Sequence, residues 1–392
     1  MNLLGRGAWR RWSIVACGTA ALCALPVVIA ALPVQQSSIS AAALRARILA
    51  SASVPYEAYA ESTADFGLPD LPDLHDVSQL LDGTTDQYVW YRSPAYWRAD
   101  DVTGSGPNGT FQAGESDTYQ DGQVVFLWDY GRSLLTQIVG AQPVRLPRAA
   151  DLLPPALARR LLGIAAAADH YSRLPSRRVA GIDAAGLRVQ AAGHATTIGA
   201  IDIWADPRTG LPVEVQITGR GTGRPVLTSS FLELSERRPG LGTVTPHPAP
   251  GVGFTTTSLP AVDRVLNGDG DGDHDGSPFP PQLGGSRHVA IPGSPRGVAV
   301  YGTGLSRFVL LPLPGSAGIT VLNAALGAGA GVLSIGGQTA ALIRTPLLTV
   351  VMVRAGLRPA TFLFAGAVIP AVLENAATSM VAYLARWFRT NR

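Results

Sequence analysis

Few residues in this 392-residue chain have the types and spacing that chemistry requires. The sharpest candidate is Asp271-Gly272-Asp273-His274-Asp275-Gly276, which matches the first half of a calcium loop. Three carboxylates and a turn glycine can surround a hard cation. The twelfth position of such a loop is Gln282, however, where a bidentate Glu is needed, and Pro278, Pro280 and Pro281 interrupt it. The stretch around residues 267–276 therefore reads as a solvated acidic linker. His75, His170, His194, His247, His274 and His288 form no i, i+4 pair, which excludes a zincin-type helix. Asp117, Asp129, Asp202 and Asp206 share no motif spacing, and the glycine run at 327–337 lacks a nucleotide-binding pattern. All 31 basic residues are Arg, which excludes a P-loop, a Schiff-base lysine and a Ser-x-x-Lys nucleophile. These absences predict a chain that is not an enzyme and carries no metal or cofactor.

What remains is aromatic. Trp90, Trp97, Phe126, Trp128 and Trp204 fall on predicted strands. Strand aromatics usually pack in a core. They can also line an apolar cavity, where an acyl chain gains up to ~0.8 kcal/mol per buried methylene. Ten carbons then supply about 8 kcal/mol before ordering costs.

The elements that must position these residues follow from periodicity. Residues 38–51 predict a helix, with Ser38 or Ser40 as cap and Leu44 and Ile48 on one face. A strand follows over 56–66, then a proline-broken acidic loop. Short strands with short turns come next, and Asp121-Gly122 between two apolar runs predicts a hairpin. Val124, Phe126, Trp128 and Tyr130 alternate with Val125 and Leu127, so that strand needs cover on both faces. Residues 153–173 predict a helix. The strongest hairpin is 199–218, where Ile201 and Ile203, then Val213, Val215 and Ile217, alternate with polar residues around the turn "DPRTGLP". After a further strand, residues 239–292 are rich in Pro and Gly and read as a linker with a short helix at 259–266. Residues 293–392 predict a small α+β domain ending in a helix from Pro370.

One helix, then "VPYEAYAES", "YVWYRSPAYWRAD", "DGQVVFLWDYG", "VAGIDAAGLRVQ" and "IDIWADPRTGLPVEVQIT", resembles the LolA/RseB (MucB) superfamily over residues 40–238. The resemblance implies an α+β fold: a strongly curved antiparallel β-sheet, an incomplete barrel, with helices in its concavity. It also implies an apolar cavity, which holds acyl chains in the lipoprotein carrier LolA. In the sigma-E regulatory protein RseB the same fold serves sensing and restrains proteolysis of an anti-sigma factor. The residues after 293 look like the smaller second domain of RseB-type proteins.

Arg6, Arg10 and Arg11 precede an apolar run from Trp12 to Val34. At ~1.5 Å per residue it spans about 34 Å, enough for a ~30 Å hydrocarbon core. Basic residues before it keep that end cytoplasmic, so the bulk of the chain is expected outside the cytoplasmic membrane. The length favours an uncleaved anchor; a signal peptide with an apolar region at Ile14 to Leu25 is the alternative, and would leave the chain secreted. Cys17 and Cys23 lie inside this run, so the exported body has no thiol. A second span over 361–387 is disfavoured by Glu374 near its middle, at a cost of ~3 kcal/mol. The expected organisation is a signal or anchor segment (1–35), a curved-sheet domain (36–238), a linker (239–292) and a small α+β domain (293–392). The net charge of +3 gives no reason to expect nucleic acid. The pairs Arg159-Arg160, Arg177-Arg178 and Arg237-Arg238 are expected to be solvated, or to meet anionic lipid head groups. The expected partners are an acyl or lipid ligand, or an anti-sigma factor or other membrane protein. The leading expectation is a membrane-associated regulatory protein of the envelope-stress kind; a lipid or lipoprotein carrier is the alternative, and an envelope enzyme the third.

Overall fold

The computed structural model describes residues 33–68, 75–102, 116–140, 145–248, 250–257, 279–292, 297–313, 315–355 and 360–390. Ser40 caps helix α1 (Ala41–Ala50) by accepting from the Ala43 N–H, and Leu44 and Ile48, four apart, are its buried residues. In β1 (Tyr56–Asp65), Tyr56, Ala58, Ala60, Ser62 and Ala64 are buried while the intervening residues face outward. That alternation sets the inner face of a twelve-stranded sheet. A short helix, α2 (His75–Leu81), stands at the end of the expected acidic loop.

The other strands of this sheet are β2 (Asp82–Ser93), β3 (Tyr96–Asp101), β4 (Ser116–Asp121), β5 (Val124–Asp129), β6 (Leu134–Val139), β7 (His170–Val179), β8 (Ile182–Gln190), β9 (Ile198–Ala205), β10 (Pro212–Gly219), β11 (Pro225–Ser235) and β12 (Gly253–Thr257). Their spatial order is β12-β6-β5-β4-β3-β2-β1-β11-β10-β9-β8-β7. Pairing is antiparallel except where β12 joins β6 in parallel, so the sheet is mixed at that edge and is not closed into a barrel. Strands β7 and β11 touch although three strands lie between them in that order. A flat sheet would hold them about 19 Å apart, so this half is curled.

Helix α3 (Pro154–Ile164) starts at two prolines, and its Ala158, Leu161 and Leu162 pack with Ile201, Ile203, Val215, Ile217 and Leu227 of the curled strands. It is shorter than the helix expected over 153–173. The Asp169 carboxylate accepts from the Ala166 and Ala192 N–H groups, which fixes a turn, and residues from 170 onward pair with β8 instead. The turn of the strongest hairpin lies against α1: a Cβ on Gly210, whose φ is +75°, would stand 2.4 Å from the Arg47 carbonyl oxygen.

Helix α4 (Leu241–Val244) opens the segment expected as a linker. Part of that segment is strand: besides β12 it supplies β13 (Gln282–Leu283) and β14 (Ser286–Val289). These begin an eight-stranded sheet with β15 (Ala299–Tyr301), β16 (Phe308–Leu313), β17 (Gly331–Ile335), β18 (Gln338–Arg344), β19 (Thr349–Ala355) and β20 (Ala360–Gly366), in the order β13-β14-β15-β16-β20-β19-β18-β17. One face packs on α6 (Pro370–Thr390) through Leu373, Ala376, Ala377, Met380 and Leu384. The other packs on α5 (Gly315–Gly327) through Leu322 and Ala325. The sequence pattern does not predict α5, because Gly315, Gly318 and Gly327 and the β-branched Ile319, Thr320 and Val321 are poor helix formers. Gly318 is demanded by packing, since a Cβ there would stand 2.6 Å from the Thr361 Cβ.

The two sheets meet at a backbone seam. Thr197 N–H donates to the Ala367 carbonyl (3.1 Å), and Ile369 N–H to that of Ala195 (2.9 Å). The Thr197 hydroxyl donates to the Leu347 carbonyl (2.5 Å), and Leu305 and Leu347 enter the core of the large sheet. Among the described residues no helix is long and apolar enough to cross a membrane, and none of their His, Cys, Asp or Glu groups is placed to hold a metal. Residues 12–32 of the expected anchor run (12–34), the acidic stretch 267–276 and the expected helix at 259–266 lie outside the described residues.

Candidate functional site on the concave face

Strand register assigns each side chain of β1–β6 to a face. Tyr56 stands opposite Tyr91, Tyr91 opposite Trp97, Trp97 opposite Gln120, and Gln120 opposite Val125, so all of these share the concave face. Tyr56 and Tyr91 stack with ring centroids 5.0 Å apart. Burial pushes both phenols above their ordinary value.

A strap, residues 145–153, crosses this face before α3 begins. It contains one turn of 3₁₀ helix over Ala149–Leu152. Sheet side chains hold its carbonyls: Gln87 Nε2 donates to Ala149 O (2.9 Å), and the hydroxyls of Ser62 and Ser229 donate to Leu152 O. Arg145 grips Asp151 in a fork, at 2.6 and 2.7 Å. Burial would raise the Asp151 pKa, but the Arg145 bonds and charge, with the Arg148 N–H, hold it below the usual carboxylate value. Arg148 is brought down to about 10 by burial and by the neighbouring charge of Arg145.

A cavity lies on each side of the strap. The first, of about 720 Å³, has Val89, Tyr91, Trp97, Val124, Val125, Val139 and Leu153 among its apolar lining, and Arg145, Arg148, Asp151 and Arg159 at its charged part. The second, of about 630 Å³, is more polar, with Thr85, Gln87, Asp101, Ser116, Asp129 and Arg132. Thr118, Arg148 and Ala150 border both. The Arg159 guanidinium lies over the Tyr91 ring, 6.0 Å from its centroid.

The convex face carries a different construction. Arg98 lies over Trp90 (5.2 Å) and Tyr119 (5.1 Å) and forks onto Asp100 at 2.5 and 2.6 Å. Its NH2 also reaches Asp117 at 2.8 Å, and the hydroxyls of Tyr119 and Tyr130 donate to the same Asp117 oxygen. Asp100 is pushed up to about 7 by burial and by the Asp117 charge, against the pull of Arg98. Residues 239–248 and 250–257 cover this side: Arg92 donates to Pro239 O, α4 packs on β2–β4, and Val252 packs with Tyr119, Trp128 and Leu135. This supplies the second cover that β5 requires: Phe126 and Trp128 pack beneath the segment, while Val125 and Leu127 face the cavities.

The five aromatics singled out from the sequence are thus divided. Trp97 lines the first cavity and Trp128 borders the second, although the Trp128 ring stacks on Tyr130 at 5.1 Å on the convex side. Trp90, Phe126 and Trp204 line neither. Trp90 lies under Arg98; Phe126 packs against the convex cluster; Trp204 donates to Pro175 O (3.2 Å) and carries Arg177 3.5 Å above its ring. Residues missed by the sequence reading are Tyr56, Tyr91, Val125, Arg145, Arg148 and, as a cavity residue, Arg159. One signal was present: the short turn at Pro94-Ala95 puts Tyr91 opposite Trp97, and hence Trp90 and Trp97 on opposite faces. Arg177 pairs with Glu214, Arg178 with Asp183, and Arg237 with Glu57.

No family model and no curated protein matches the chain. Among solved structures it is similar to the complex of MucA and MucB from Pseudomonas aeruginosa, at 15% identity over 86% of this chain and 97% of that one, with a TM-score of 0.46. It is also similar to a LolA superfamily protein from Nitrosomonas europaea, at 10% identity over 53% of this chain and 99% of that one (TM-score 0.24). LprF from Mycobacterium bovis gives 12% identity over 53% of this chain and 97% of that one (TM-score 0.30). MucB and the LolA superfamily are also the proteins that the sequence resembles.

Proposed function

We propose that this chain is a non-catalytic binding protein of the cell envelope that holds the apolar part of an amphipathic molecule in the first concave cavity. The observation that carries the reading is that cavity itself. Its volume of about 720 Å³ lies within the range of small-molecule sites, and its lining of valines, Leu153, Tyr91 and Trp97 suits an acyl chain. The basic and apolar N-terminus supports export, with the chain tethered to the membrane or released from it.

A sensor of the RseB kind, acting on an anti-sigma factor or another membrane protein, is favoured over a LolA-like carrier by the seam. Hydrogen bonds between residues 195–197 and 367–369 join the cavity-bearing sheet to a second domain that carriage alone does not need. Native mass spectrometry of the full chain, purified from membranes, tests the binding reading. The expected result is an acyl-bearing adduct that is lost in Val125→Trp, which fills the cavity. A protein that stays empty when offered acyl amphiphiles overturns it. Delivery of the adduct to acceptor vesicles would favour carriage; capture of a membrane protein that depends on cavity occupancy would favour sensing.

A further inference from the structure

The charges of the first cavity do not balance. Three arginines and one aspartate line it, leaving a formal +2 in a largely apolar space. Arg145 is committed to Asp151 through two bonds of 2.6 and 2.7 Å. Arg159 is not so committed. It stands on α3, one position beyond the wholly buried Ala158, and is directed to the Tyr56–Tyr91 stack. Its NH1 nitrogen is buried and has no hydrogen-bond partner. A guanidinium N–H withdrawn from water normally meets an acceptor, and an anion is the strongest one available to it.

Resting on the binding reading above, we propose that the cavity selects an amphiphile with an anionic head. Its carboxylate or phosphate seats on Arg159, and its chain runs along Val89, Trp97 and Val125. The planar fork of Arg159 suits either oxyanion. The sequence expects Arg159-Arg160 to be solvated or to meet head groups at a membrane surface; here one member of the pair faces the interior, while Arg160 is exposed.

Calorimetric titration of the full chain with three probes of equal chain length tests this: palmitate, palmitoyl lysophosphatidate and neutral monopalmitoylglycerol. A charged hydrogen bond in a partly buried site predicts that one or both anions bind about tenfold to a hundredfold more tightly than the neutral probe. Whichever anion shows the preference identifies the head group as carboxylate or phosphate. Arg159→Gln should abolish the preference, and an unaltered circular dichroism spectrum and melting temperature certify that the variant is folded. Equal affinity for charged and neutral probes in the unaltered protein overturns the proposal and leaves the binding reading standing. So does a preference that survives Arg159→Gln. If none of the three binds, both fail together.

Discussion

Replacing Arg98 by Met is the most discriminating test of the wall that forms the cavities. Arg98 faces the convex side, while its neighbours Trp97 and Ala99 border the two concave cavities. Asp100 and Asp117 stand opposite each other on adjacent strands, and Arg98 is bonded to both. The Asp117 side chain is 0% exposed and that of Asp100 9%. Removing one member of a buried ion pair costs about 3–5 kcal/mol, because a charge is left uncompensated. Two ring contacts add ~0.5–1 kcal/mol each. Arg98 is itself 25% exposed, so the lower part of these ranges applies, and about 4 kcal/mol is expected at pH 8. The pH dependence carries the sign. Asp100 has a folded-state pKa raised from 3.8 to about 7, so its contribution to stability is complete at acid pH and is lost as the pH rises through about 7. At pH 5 it is already neutral, so removal of Arg98 then leaves one charge fewer uncompensated. Urea unfolding followed by tryptophan fluorescence should therefore give a smaller cost at pH 5 than at pH 8. Adding Asp117→Asn should restore part of the loss. A cost that is equal at the two pH values, or below ~1 kcal/mol, would refute the claim that uncompensated charge organises this face.

Three other perturbations follow from the same geometry. Asp151→Asn removes the charged fork with Arg145 that joins the two ends of the strap, and should cost about 1.5–3 kcal/mol and weaken acyl-chain binding, read by chemical denaturation and native mass spectrometry. Because the Asp151 pKa is depressed, its contribution in the unaltered protein is present above the ordinary carboxylate value and is lost as the pH falls below it. Gly210→Ala places a Cβ 2.4 Å from Arg47 O at a left-handed φ, and should lower the melting temperature by the equivalent of about 2 kcal/mol or more. Thr197→Val removes the hydroxyl bond to Leu347 O across the seam; a loss of about 1 kcal/mol is expected, with calorimetric unfolding separating into two transitions.

The large sheet was legible where polar and apolar residues alternate or turn residues punctuate. Asp121-Gly122 ends β4 and opens the turn to β5, and Asp206–Gly210 lies between β9 and β10, as their residue types require. Legibility failed where packing overrules local preference. Gly318 reads as a helix breaker, yet Thr361 leaves no space for any other residue beneath α5. Residues 253–257 read as linker because their neighbours are Pro and Gly, yet they complete the edge beside β6, a pairing that no local pattern encodes. Choosing candidate residues by aromatic type alone mixed two faces, because type says nothing about parity; register does.

The cavities themselves follow from a departure in that alternation. Ser62, Gln87 and Ser229 occupy inward positions that apolar residues would ordinarily take, and each is at most 1% exposed. Taken singly they look like flaws in a core. Together they mark the path of the strap, whose carbonyls at Ala149 and Leu152 need donors once withdrawn from water. A helix about 10 Å wide satisfies its own backbone and would fill the groove. A single irregular chain is thinner and depends on the sheet for hydrogen bonds, so it leaves open space on both sides. Polar side chains facing inward from β1, β2 and β11 are thus the cause of the empty volume beside them, and an apolar partner on the concave face is what that volume has room to admit.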